Sequence, residues 1–61
     1  MITLTKIDGN PIMVNAEEIE IVETAHDTII TLRSGRKIIV KENSDTIKDK
    51  TIEYKKSIRG I

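Results

Sequence analysis

The side chains of this chain that could carry out acid–base chemistry are one histidine and a small group of glutamates. His26 is the only side chain that normally titrates near neutral pH, and Asp27 beside it could orient the imidazole as a general base. The same two residues also suit a polar turn, which we favour. Most of the glutamates fall at polar positions of an alternating segment, as on a solvated strand face. We therefore predict no catalytic residue among His26, Glu17, Glu18, Glu20 and Glu23.

The composition also predicts no metal centre and no cofactor. The chain has no cysteine and a single histidine, so the usual nitrogen and sulfur ligand sets cannot form within it. The three glycines, at positions 9, 35 and 60, are isolated, whereas a phosphate-binding loop needs clustered glycines. The sequence therefore indicates a protein that is not an enzyme.

Short strands are the elements that would position the side chains. Isoleucine supplies 13 of the 61 residues, and apolar residues recur two apart, as in a strand with one buried face. Asp8-Gly9 and Ser34-Gly35 are hairpin signals, because glycine accepts the positive φ of tight turns. Pro11 lacks an N–H and is expected at a strand start or on an edge strand. The spacing predicts five strands over about 2–40, built on the pairs Ile2/Leu4, Ile12/Val14, Ile19/Ile21, Ile30/Leu32 and Ile38/Val40.

Two segments outside these strands indicate helical structure. The segment Asn15-Ala16-Glu17-Glu18 suits a single helical turn or a polar loop, because a cap-type residue precedes two acids. After Val40 the apolar period changes to that of a helix over about 45–59. Asn43-Ser44-Asp45 offers its N-cap, and Gly60 its C-terminal stop. The predicted inner stripe of this helix consists of Ile47, Thr51, Tyr54 and Ile58, with Ile52 lying off the stripe.

These elements predict one domain over 1–61 of the mainly β, α+β class. We expect a five-stranded antiparallel sheet or small barrel with one C-terminal amphipathic helix. A chain this short buries only about 60% of the surface that its unfolded form exposes, so its core is marginal. No run approaches the roughly 20 apolar residues of a membrane span, and the N-terminus does not resemble a leader. We therefore expect no direct membrane insertion and a cytoplasmic location.

The second face of the predicted sheet is more apolar than a water-facing sheet requires. Several strand positions that alternate with the predicted buried face are also apolar, and one apolar helix residue lies off the inner stripe. Such a patch on so small a domain favours self-association or a partner surface, and we expect a homo-oligomer. The alternative is a monomer in which the helix alone covers this face. The predicted surface consists of Met13, Val22, Ile29, Ile39 and Ile52.

Charge is distributed unevenly along the chain. Residues 1–27 carry one lysine against six acids, net −5, and residues 28–61 carry nine basic against four acidic residues, net +5. This asymmetry could steer an encounter with a charged partner or another copy, although exposed charges more than about 8–10 Å apart are screened at physiological salt. The alternative, which we favour, is an uneven distribution of solvated surface charge without a partner. Arg33, Arg36, Lys37 and Lys41 form a candidate basic patch.

Many small matches in order give the chain a family resemblance. The segments concerned are Met1 to Lys6 with Asp8-Gly9, Asn15-Ala16, Glu18-Ile19-Glu20, Asp27 to Leu32, Gly35-Arg36-Lys37, Val40-Lys41-Glu42 and Ile52-Glu53-Tyr54-Lys55. Together they resemble the FlbD/SwrD family of small flagellar proteins over almost the whole length. The resemblance implies a cytoplasmic bacterial protein that supports flagellar motility, by promoting motor power or stator function through an unidentified flagellar or motor-related protein. It implies no enzymatic activity and transfers no site residue.

The N-terminal part also resembles a family from another class. Met1 to Lys6, Gly9 and Ile12-Met13-Val14 are similar to the carbon storage regulators, small five-stranded dimeric proteins that bind messenger RNA. This similarity fades after Val14, and the family's glycine, proline and basic landmarks lack counterparts around Val40 to Asn43. The acidic half of the chain also offsets the candidate basic patch. RNA binding therefore stays an alternative, and nucleic acid is not the expected partner.

Overall fold

The computed structural model describes residues 1–59 and contains five strands and one long helix. This architecture confirms the predicted mainly β, α+β fold. The predicted stop at Gly60 lies outside the described residues. In chain order the elements are β1 (Ile2–Thr5), β2 (Pro11–Val14), a single 3₁₀ turn (Ala16–Glu18), β3 (Ile19–Thr24), β4 (Thr28–Leu32), β5 (Lys37–Val40) and α1 (Ser44–Arg59).

Two hairpins of the same type join β1 to β2 and β4 to β5. In the first, the Gly9 N–H donates to the Lys6 carbonyl at 2.9 Å, and in the second the Gly35 N–H donates to the Leu32 carbonyl at 2.8 Å. Both glycines have φ near +94°, a conformation that L side chains rarely adopt. The two hairpin turns predicted at these glycines are therefore confirmed.

The strands form a two-stranded sheet, β1–β2, and a three-stranded sheet, β3–β4–β5, both antiparallel. A bridge between Lys6 and Val40 joins the two sheets, and the Lys41 N–H donates to the Thr5 carbonyl at 2.8 Å. Over the described residues the sheets do not close, so the small-barrel alternative is not confirmed. Pro11 begins β2, and among the described residues β2 pairs only with β1. This position at the start of an edge strand agrees with the prediction from the missing N–H of proline.

The core lies between the inner faces of the two sheets and the helix. Its side chains come mostly from the alternating positions that the sequence marked as one buried face. The helix contributes Ile47, which is 2% exposed. The buried members of the core are Ile2, Leu4, Val14, Ala16, Ile30, Ile38, Val40 and Ile47.

One strand departs from the predicted alternation. A register shift between Ile19 and Ile21 puts an extra residue into β3 relative to β4. After the shift Val22 pairs with Ile30 and packs against the core, whereas Ile21 is 46% exposed. The expectation that Ile21 lies on the buried face and Val22 on the opposite face is therefore wrong, because a β-bulge reverses the phase of the strand.

The helix begins where the sequence predicted. The Asn43 side-chain oxygen accepts a hydrogen bond from the Thr46 N–H at 2.8 Å, which is an N-cap. Ile47 is buried, and Tyr54 packs partly against the core, but Ile58 is 47% exposed. The helix has 16 residues and is roughly 24 Å long, longer than the four-residue strands beneath it. Its last turns therefore extend past the sheet, and including Ile58 in the inner stripe was wrong.

Candidate interaction surface

The outer face of the three-stranded sheet carries a group of apolar side chains. Ile29 on β4 pairs with Ile39 on β5. Ile21 on β3 pairs with Thr31, which lies two residues after Ile29 on β4. Since their neighbour Ile30 is fully buried on the inner face, Ile29 and Thr31 point outward. Ile21, Ile29 and Ile39 thus lie close together across three strands, and we call them the outer isoleucine patch.

The patch is open to solvent. Ile21 is 46% and Ile39 is 41% exposed, and Ile29 is half-buried between its neighbours. Within the described residues, the only buried side-chain polar atom without a hydrogen-bond partner is the Thr31 hydroxyl, on the same face. The face therefore combines exposed apolar side chains with one buried hydroxyl that lacks a partner.

Charged side chains of opposite sign flank the patch. Glu23 on β3 is exposed and pairs with Ile29, so it lies on the outer face beyond the isoleucines. Lys37 on β5 pairs with Thr31 and is also exposed. Strand alternation places Lys41, directly after β5, on the same side as Lys37 and Ile39. The face therefore has an acidic flank along β3 and a basic flank along β5.

The other residues predicted for a partner surface lie elsewhere. Met13 is 66% exposed on β2, opposite Thr3 in the other sheet. Val22 faces the core side of β3, and Ile52 on α1 lies beside it, so that both line a groove of about 360 Å³ between helix and strand. The structure thus brings Ile29 and Ile39 together, pairs Val22 with Ile52, and separates Met13 from both groups.

The four residues of the candidate basic patch do not form one cluster. Arg33 and Arg36 belong to the turn between β4 and β5, and Lys37 begins β5 beside them. Lys41 lies four residues further along, roughly 13 Å away at the other end of the strand. The hairpin therefore presents three exposed cations, and the fourth is separate.

A carboxylate that the sequence did not single out holds the two sheets together. The Glu42 side chain accepts hydrogen bonds from both the backbone N–H and the hydroxyl of Thr5, each at 2.9 Å. Burial by itself raises the pKa of the Glu42 carboxyl, but the Thr5 hydrogen bonds outweigh it, so the pKa lies below its ordinary value. Glu42 therefore binds as a carboxylate at the junction of β1 and β5. No local signal in the sequence links residues 37 positions apart.

The histidine lies on the surface. The His26 side chain is fully exposed, and its Nδ1 is 3.8 Å from an Asp27 carboxylate oxygen. Glu17, Glu18, Glu20 and Glu23 are also exposed. Among residues 1–59 no group of three or more histidine, cysteine or acidic side chains is arranged to hold a metal ion. Within the same range, no helix is long and apolar enough to cross a membrane.

Two open sheets, one capping helix and an apolar outer face with charged flanks define a small α+β protein. A comparison with protein families identifies the group within this class. The chain belongs to the FlbD family, described as flagellar and swarming motility proteins, whose family model matches residues 1–59. No curated protein and no solved structure gives a significant match.

Proposed function

We propose that this protein is a cytoplasmic, non-enzymatic accessory protein of bacterial flagellar motility that supports motor power or stator function through protein–protein contact. The family match over residues 1–59 supports the link to motility. The outer isoleucine patch is the observation that favours contact with a protein, because the outer face of an antiparallel sheet is otherwise polar.

The patch can contribute useful binding energy. Full burial of an exposed isoleucine side chain is worth about 1.5–3 kcal/mol. Ile21 and Ile39 are each a little under half exposed, and Ile29 less, so covering all three supplies about 2–4 kcal/mol. That amount is about a quarter to a half of the roughly 8 kcal/mol that a micromolar contact requires.

The proposal is tested by replacing Ile39 in the native host with aspartate. The aspartate places a charge in the patch, so we expect slower swimming with a normal number of filaments per cell. Ile58→Asp is the matched control, because Ile58 is similarly exposed, 47%, on the far end of the helix and away from the patch. Circular dichroism of the purified variants establishes that both remain folded.

The outcomes separate the parts of the proposal. Normal swimming by cells that contain folded Ile39→Asp protein would refute contact through the patch. Loss of filaments would overturn motor-level action in favour of a role in assembly or expression. Equal defects in both variants would show that the position of the charge does not matter.

A further inference from the structure

We propose that the outer isoleucine patch binds a second copy of this chain in a two-fold symmetric dimer, with the acidic flank of each copy against the basic flank of the other. The inference deepens the proposed function, on which it rests for its role in the cell, by naming what covers the patch. It is carried by the distribution of charge on this face and by the symmetry that this distribution permits.

The outer face is complementary to itself. Glu23 lies on β3 beside Ile21, Lys37 and Lys41 lie on the β5 side to either side of Ile39, and Ile29 on β4 lies between the two charged strands. A partner of uniform charge would therefore be repelled by one flank, whereas a second copy can satisfy both flanks at once.

One symmetric arrangement satisfies these charges. Antiparallel sheets pack face to face with their strands within about 30° of each other. When the two-fold axis runs along the strands over β4, β3 of each copy covers β5 of the other. Glu23 of one copy then lies above Ile39 of the second copy. Lys37 and Lys41 of that copy lie two residues to either side of Ile39, each roughly 7 Å further along the strand. With the sheets about 10 Å apart, the Cα atoms of Glu23 and either lysine are roughly 12 Å apart, a distance that the two side chains can span together.

The alternative two-fold axis, across the strands, is unfavourable. It would place β3 of one copy over β3 of the other, so that the Glu23 carboxylates come close together. The lysines of the two β5 strands would also face each other. Like charges juxtaposed in an interface cost several kcal/mol, so the charge pattern selects the axis along the strands.

The size of the face predicts a weak dimer. Its three strands have six, five and four residues, so the face is roughly 13–20 Å long and about 10–15 Å wide. A standard interface buries about 800 Å² of each partner, more than this face offers. We therefore expect association that depends on concentration, with a dissociation constant of roughly 10–500 μM.

Charge exchange between purified full-length chains tests the inference. In a dimer of the Glu23→Lys variant, the new lysine of each copy faces Lys37 and Lys41 of the other copy. In a dimer of the double variant Lys37→Glu/Lys41→Glu, the new glutamates face Glu23. Each should dimerise at least about tenfold more weakly than the unaltered protein in sedimentation equilibrium at low salt. An equimolar mixture of the two should recover dimers, because every altered residue then meets a residue of opposite charge. Glu53→Lys, the same charge change on the exposed helix surface, should leave association unchanged.

Two results would overturn the dimer. One is an unaltered protein that sediments as a monomer up to about 1 mM, a concentration at which any dissociation constant in the expected range gives a substantial fraction of dimer. The other is a mixture that associates no better than its separate components, which would show that the flanks do not meet. Because these measurements use purified protein, their failure leaves the motility proposal standing with another protein on the patch. A motility failure alone leaves the dimer standing.

Discussion

Replacing Glu42 by glutamine should loosen the junction between the two sheets. In the native protein the carboxylate accepts two hydrogen bonds, one from the backbone N–H of Thr5 and one from its hydroxyl, both at 2.9 Å. The glutamine carbonyl can still accept from the N–H. Its amide group, however, faces a hydroxyl that must turn round to accept a hydrogen bond.

The size of the effect follows from these contacts. A hydrogen bond to a charged group contributes about 1.5–3 kcal/mol, and a neutral one about 0.5–1.5 kcal/mol. Glu42 remains partly exposed to solvent, which screens part of the difference. We expect the Glu42→Gln variant to lose about 1–2 kcal/mol of unfolding free energy at pH 7. For a domain of this size that lowers Tm by roughly 5–15 °C.

The same substitution predicts a dependence on pH. The folded-state pKa of Glu42 lies below its ordinary value, so its carboxylate stabilises the fold above the unfolded-state pKa of about 4.3. That stabilisation is lost as pH falls through the lower folded-state pKa. The difference between native and variant proteins should therefore be full at pH 7 and smaller at pH 3, which lies below the unfolded-state pKa.

Thermal unfolding followed by circular dichroism at both pH values measures this effect. Glu53→Gln, on the exposed helix surface, is the matched control and should change Tm little. Equal Tm values for native protein and the Glu42→Gln variant at pH 7 would refute the reasoning. So would a deficit that is unchanged at pH 3.

Three further changes should alter stability in predictable directions, all measured by urea unfolding. Gly35→Ala should lower the unfolding free energy by about 1–2 kcal/mol, because a residue with a Cβ is strained at φ near +94° even though the space around Gly35 is open. An unchanged unfolding free energy would contradict this turn geometry. Thr31→Val should raise the unfolding free energy by about 1 kcal/mol, since it removes a buried hydroxyl without a partner. A lower unfolding free energy would mean that the hydroxyl is hydrogen-bonded. Asn43→Ala should cost about 1 kcal/mol through loss of the helix cap, and Asp45→Ala, which removes no cap, provides the comparison.

The local sequence predicted the secondary elements well because their determinants act over a few residues. Gly9 and Gly35 mark the two hairpins, since no other residue adopts their φ as easily. Asn43 marks the start of the helix through its own side chain. Alternation likewise identified most of the buried face, from Ile2 to Val40.

Alternation failed where one extra residue entered a strand. The bulge in β3 moves Ile21 to the outer face and turns Val22 to the core. Each of these residues is apolar, so either phase of the strand looks acceptable in the sequence. The phase is decided by pairing with β4, and the outer isoleucine patch therefore includes a residue that the sequence assigned to the core.

Short-range sequence patterns are sufficient to place the strands, the turns and the helix, and they show more apolar residues than one buried face needs. Which of those residues meet depends on how the strands pair and pack. The tertiary structure brought Ile21, Ile29 and Ile39 together, separated Met13, and divided the basic residues between the two ends of β5. It also placed Glu42 against Thr5, 37 positions away. The physical reason is that turns and caps depend on neighbouring residues, whereas register and sheet junctions depend on contacts between distant ones.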